Sequence, residues 1–258
     1  MPPLSYLATS ALLLGCYCHA GEPVMTPAAP LSAPTDGTEF LLNIYAPVMG
    51  LDGDVGYGPA GGTVDLPFED ILDDLDASAS LAAELRCGRW SLTGDFFWLK
   101  LSTTAELPAN ATLDLREEQI LASLSLGYAI YESDRTTLDF LGGAALTHME
   151  LDLTLDTPLL PVTERHRSGS KTWVDPFFGL RLRHQISDRW SFLATGVYGG
   201  FGVSSEQYWQ GLAGFGFRMT EHVSLFAVYR VISVDYDRGG FLYDTETSGP
   251  NIGLGFRF

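Results

Sequence analysis

Two groups of side chains in this sequence could do chemistry, and they differ in kind. The first is His166-Arg-Ser168, a histidine two residues from a serine, the spacing of a base beside a hydroxyl nucleophile. Such a pair needs an orienting carboxylate, and the nearest one downstream is Asp175. Asp175 shares its face with Gly179 and Arg181, however, whereas the pair falls in a polar connection. A His and a Ser two apart also arise by chance. His19, His148, His184 and His222 are scattered without metal-ligand spacing. Asp52-Gly-Asp54 has the beginning of a calcium loop but lacks the repeated acids that would complete one. No cofactor, no metal and no catalytic role are expected.

The second group is ionic. Glu84, Asp95, Glu117, Arg181, Arg183, Arg218, Arg230 and Arg257 each stand on the polar face of a segment whose opposite face is apolar. Guanidinium forks match carboxylates in geometry, and charges withdrawn from water are tolerated when paired this way. The expectation is a charge network inside a closed structure, and the elements carrying these residues say which one.

The last third of the chain, Lys171 to Phe258, reads as short segments of alternating apolar and small or polar residues. In the final one Ile252, Leu254, Phe256 and Phe258 share one face, while Gly253, Gly255 and Arg257 share the other. Thr172 to Ile186 sets Asp175, Gly179, Arg181, Arg183 and Gln185 against Phe178, Leu180, Leu182 and Ile186. Leu113 to Ile130 sets Glu117, Gln119, Ser123 and Ser125 against Ile120, Ala122, Leu124, Leu126 and Tyr128. Greasy outer faces, polar inner faces and aromatics at segment ends describe an antiparallel transmembrane β-barrel. Ile252, Leu254, Phe256 and Phe258 have the form of the terminal signal by which such barrels are recognised for insertion.

Ten strands are expected, with eight or twelve following from one misread segment. They are Glu39–Gly50, Ala77–Arg86, Trp90–Thr103, Leu113–Ile130, Thr137–Leu155, Trp173–Ile186, Trp190–Val203, Gln207–Met219, Val223–Asp235 and Asn251–Phe258. Tight turns at Cys87–Arg89, Tyr131–Arg135, Ser187–Arg189 and Thr220–His222 alternate with connections that are mostly longer: Leu51–Asp76, Thr104–Thr112, Asp156–Thr172 and Tyr236–Thr247. Short turns in the periplasm and long loops outside is the bacterial pattern. Within Leu51–Asp76, Thr63–Leu66 could add a short strand, and Phe68, Ile71, Leu72 and Leu75 predict a short amphipathic helix in this first external loop.

Residues 1–20 read as a secretory signal ending at Cys18-His19-Ala20, though no Lys or Arg precedes the apolar run. Leu13-Leu-Gly-Cys16 offers a competing lipidation site. Residues 21–37 form a Pro-rich periplasmic linker, and residues 38–258 the barrel. With the signal removed only Cys87 remains, so no disulfide framework exists. The balance of 15 basic against 32 acidic residues, −17 overall, excludes nucleic acid as a partner. The expected surroundings are outer-membrane lipid and lipopolysaccharide, with the barrel-assembly machinery as insertion partner; nothing sets an oligomeric state.

Trp173-Val-Asp-Pro-Phe-Phe-Gly-Leu-Arg, Arg189-Trp-Ser, Gly199-Gly-Phe-Gly, Trp209-Gln, Tyr229-Arg, Asp235-Tyr and Gly249-Pro resemble a family of uncharacterised bacterial outer-membrane β-barrel proteins. Leu51-Asp-Gly-Asp, Arg89-Trp and Gly94-Asp95 are similar to it as well. The resemblance implies a fold and a location and no activity. The chain departs from the pattern at Ile44-Tyr-Ala-Pro47, where Pro-Tyr-x-Trp is usual, at Val197, where an acid is usual, and near Ala145, where an arginine is. A structural or surface-interaction role is therefore expected first, and a narrow cation-preferring pore second. A lipid-modifying barrel enzyme, built on the His-x-Ser pair, comes third.

Overall fold

The computed structural model describes residues 38–57, 60–69, 75–107, 111–156 and 164–258. Residues 1–37, with the expected signal and linker, lie outside them. So do residues 70–74, on which most of the expected helix falls.

Alternation of the side chains places twelve strands: β1 (Thr38–Pro47), β2 (Gly50–Tyr57), β3 (Ala60–Leu66), β4 (Leu75–Cys87), β5 (Trp90–Leu107), β6 (Ala111–Glu132), β7 (Thr136–Asp156), β8 (Glu164–Gln185), β9 (Trp190–Gly199), β10 (Gln207–Arg218), β11 (Val223–Arg238) and β12 (Phe241–Arg257). Ten of them, β1 and β4 to β12, close into an antiparallel barrel through the pairing of β1 with β12. β2 continues β1 along β12 in one register, from Pro47↔Asn251 to Gly50↔Ser248. β3 folds back on β2.

The outward face is apolar from one aromatic girdle to another. Phe40, Ile44, Leu85, Leu92, Leu124, Leu126, Phe140, Leu180, Ile252 and Leu254 are exposed on it. At the short-turn end Trp90 meets Tyr128 at 4.8 Å, and Trp190 meets Phe217 at 5.0 Å. At the other end Phe201 meets Phe178 at 5.4 Å and Tyr198 at 5.5 Å. Trp190 and Tyr198 are eight residues apart on β9. At about 3.4 Å per residue and a tilt of about 40° that is roughly 21 Å, close to the band a bilayer core covers.

The largest departures from the expected strand limits, together with the β2–β3 hairpin, share a cause. β8 begins at Glu164, β12 at Phe241, β5 reaches Leu107, and β2 and β3 form a hairpin, so much of the expected loop sequence is strand. Beyond the band the pattern inverts: apolar residues face inward and acids face water. Val234, Tyr236 and Tyr243 are buried, while Asp237, Asp244 and Glu246 are exposed. The β11–β12 turn is only Gly239-Gly240, with φ of 64° and 79°. A two-residue turn of that kind needs positive φ at both positions, which glycine supplies. β9 in turn stops at Gly199, short of the expected Val203; Gly200, Phe201 and Gly202 all have positive φ there. Above this short β9–β10 hairpin, the wall becomes two four-stranded flaps, β5–β8 and β11–β12–β2–β3.

Candidate functional site: the charged lumen

Three strands send charged side chains inward near the short-turn end. β4 contributes Glu84 and Arg86, β7 Asp139, and β8 Arg181 and Arg183. Residues two apart share a face of a strand, so the Arg181/Arg183 and Glu84/Arg86 spacings aim each pair the same way. Arg181 donates from Nε to Asp139 at 3.0 Å, from Nη1 to Glu84 at 3.2 Å, and from Nη2 to Ser91 at 3.0 Å. Arg183 bonds Glu84 through Nη2, and Arg86 reaches Glu84 at 3.3 Å and Asp139 at 2.9 Å. Arg181 and Glu84 are fully buried, and Asp139 is 1 % exposed. Three guanidiniums thus surround two carboxylates with several charge-assisted hydrogen bonds, the arrangement that lets a charge stay ionised away from water.

The remaining expected members are not all in this cluster. Arg257 pairs with Glu39 across β12 and β1, and Arg218 stands at the mouth of the lumen beside Arg257. Asp95 instead accepts from the Tyr45 hydroxyl at 3.0 and 3.1 Å. Arg230 donates from Nε and Nη2 to Gln210 at 3.0 and 3.1 Å, and Gln210 donates onward to the Tyr208 hydroxyl at 3.0 Å. Glu117 lies in β6 opposite Leu101 and Leu151; its side chain lies outside the described residues. The expected residues thus bond different partners: Glu84 and Asp139, Glu39, Tyr45 and Gln210. Asp139 and Glu39 are not among the expected residues. Both sit within three residues of a strand start, where the alternation has hardly begun, though Thr137-x-Asp139-x-Leu141 does share one face.

An apolar layer follows toward the opposite end. Phe97, Leu121, Leu141, Trp173, Phe177, Tyr208, Tyr236 and Tyr243 form one buried cluster on the inner face. Trp173 and Tyr236 pack at 5.0 Å, joining β8 to β11 across the short β9–β10 hairpin. Val197 and Ala145, where the resembled pattern has an acid and an arginine, belong to this layer. Their apolar character thus matches where they sit.

The His-x-Ser pair lies on β8 and not in a loop: His166 registers with Thr154, and Ser168 with Asp152. Asp175 points inward, 2 % exposed, and accepts from the Ser205 amide at 2.8 Å and hydroxyl at 2.6 Å. That bonding ties the β9–β10 loop to β8. His148 and His184 bond Thr172 and Thr136, and His222 bonds the Arg257 carbonyl. Among the described residues no group of three His, Cys, Asp or Glu side chains could hold a metal.

Ile252 and Leu254 are exposed on the outer face of β12 and Phe256 is half-buried, while Phe258 is 73 % exposed against Phe40 at 6.0 Å. Arg257, between them, faces in.

No family model matches the chain, and no curated protein matches it. Among solved structures it is similar to the outer-membrane protease OmpT from Escherichia coli, with a TM-score of 0.59 and 10 % identity over 87 % of this chain and 98 % of that one. The fold is that of an outer-membrane β-barrel. Ail of Yersinia pestis (14 % identity, 86 % of this chain and 99 % of that one) and a major outer membrane protein from Thermus thermophilus (11 %, 86 % and 100 %) also match. Their TM-scores are 0.34 and 0.38.

Proposed function

We propose that this chain is an integral outer-membrane barrel with a closed lumen, whose work is structural or done at the cell surface by its projecting flaps. The observation that carries this reading is the occupied interior: an ionic layer around Arg181 and an apolar layer around Trp173 and Tyr236. A small barrel is just wide enough for side chains to fill it. The short turns, Cys87-Gly88 among them, then face the periplasm, and the flaps stand outside. Outer-membrane lipid contacts the apolar band. The acidic outer face of the flaps, Asp52, Asp54, Asp244 and Glu246, meets lipopolysaccharide through divalent cations. The outer face of β12, from Ile252 to Phe258, is what the barrel-assembly machinery reads. No catalytic step is assigned: Ser168 has an acid, Asp152, opposite it in the ladder, but Asp175 faces the other side of β8.

A liposome-swelling assay tests this reading. Vesicles carrying the refolded protein should swell in small sugars no faster than empty ones. Swelling at a rate that scales inversely with sugar size would overturn it in favour of a pore.

A further inference from the structure

At the short-turn mouth of the lumen, β1, β12 and the β10–β11 hairpin line a small recess open to solvent. Asn43, Arg218, His222, Ser224 and Arg257 line it. Its electrostatics are unbalanced. Glu84 and Asp139 are engaged by Arg86, Arg181 and Arg183, and Glu39 by Arg257. Arg218 makes no ion pair among the described residues, and its Nε is buried without a hydrogen-bond partner. Asn43 is 2 % exposed, and its Nδ2 likewise lacks a partner. A buried donor left unsatisfied costs free energy, so two of them on one recess beside a guanidinium with no counter-ion call for an acceptor. Gly255 lets the Asn43 and Ser224 side chains close in on β12. A Cβ there would come within 2.7 Å of Asn43 Oδ1 and 2.8 Å of Ser224 Oγ. The nearest acid on the rim is Glu221, exposed in the turn.

We propose that this recess binds a small oxyanion, a phosphate or carboxylate group, held by Arg218 and the Asn43 amide with Arg257 alongside. Both groups present oxygens to planar and amide donors, so the chemistry recognised is shared. The proposal does not depend on whether the lumen is closed farther in.

The test uses the purified, refolded chain in detergent at neutral pH. Its thermal unfolding is followed against inorganic phosphate, sodium acetate and sodium chloride at matched ionic strength. A ligand that binds only the folded state raises the midpoint in a saturable way. Phosphate, acetate or both should do so by a few degrees, and which one does assigns the source. Arg218→Gln should abolish the rise, and Arg189→Gln, in a different turn, should keep it. Should Arg218→Gln fail to fold, Asn43→Asp keeps the shape, places a negative charge in the recess and should abolish the rise. Chloride matching the oxyanions, or a rise that survives Arg218→Gln or Asn43→Asp, would overturn the proposal.

Discussion

Glu84→Gln is the most informative single change in the ionic layer. It keeps the size and shape of the side chain and removes one negative charge. Arg86, Arg181 and Arg183 would then share Asp139, at 2.9 Å from Arg86, 2.9 Å from Arg181 and 3.9 Å from Arg183. Breaking a fully buried pair by neutralising one partner costs about 3–5 kcal/mol, because the orphaned charges cannot reach water. Arg181→Ala should cost less than Glu84→Gln, although it deletes the bonds to Asp139, Glu84 and Ser91. It leaves two guanidiniums with two carboxylates, a balanced set. Arg89→Ala is the control: Arg89 is about half exposed and 3.7 Å from Glu132, so its loss costs about 0–1 kcal/mol. A loss of about 3–5 kcal/mol corresponds to roughly 6–20 °C at about 2–4 °C per kcal/mol for a chain of this size. The assay is heat modifiability on a gel, in which folded and unfolded barrels migrate differently. The expected order of midpoints, from highest to lowest, is wild type, Arg89→Ala, Arg181→Ala, Glu84→Gln. A midpoint for Glu84→Gln within a degree or two of Arg89→Ala would refute the claim that these charges sit in a dry, mutually dependent cluster.

Other expectations test other parts of the account. Phe258→Ser should lower the amount of protein recovered from the outer membrane more than Arg257→Gln does, measured by fractionation at equal expression; equal recovery would remove the outer face of β12 as the insertion signal. Cys87 is exposed in a short turn, so a membrane-impermeant thiol reagent should label it only after permeabilisation. An introduced Arg238→Cys should label in intact cells, and the reverse pattern would invert the orientation. The Asp244 carboxyl lies above the apolar band, where partial burial, then Asp235 and Asp54, raise its pKa above the ordinary carboxylate value. An acid raised in the folded state favours folding as pH falls through that raised value, and disfavours it above. Asp244→Asn should therefore raise the unfolding midpoint at neutral pH and flatten its rise as pH falls toward the ordinary carboxylate range. An unchanged pH profile would show that this site does not sense its neighbours.

Much of the barrel was legible in the sequence because lipid imposes a strict alternation. Where β8 carries Phe178, Leu180 and Leu182 outward, Arg181 and Arg183 had to face inward, and they do. The same rule misled beyond the band. Reading apolar as outward and polar as loop made Tyr236–Thr247 a connection, although Tyr236 and Tyr243 line the interior while Asp237, Asp244 and Glu246 meet water. The Gly239-Gly240 dipeptide was the signal for a tight hairpin, and the surrounding acids obscured it. Which partner each charge meets was not legible at all. Which strand faces which across the lumen depends on barrel shear, and no local pattern encodes that. Asp95 meets Tyr45, and Arg230 meets Gln210.

The closed lumen is the central claim, and single-channel current through a planar bilayer tests it most directly. Refolded wild-type protein should give no resolved steps at moderate voltage, because the layers around Arg181 and Trp173 leave no continuous water path. Reproducible, ion-selective steps from the wild-type protein would contradict it.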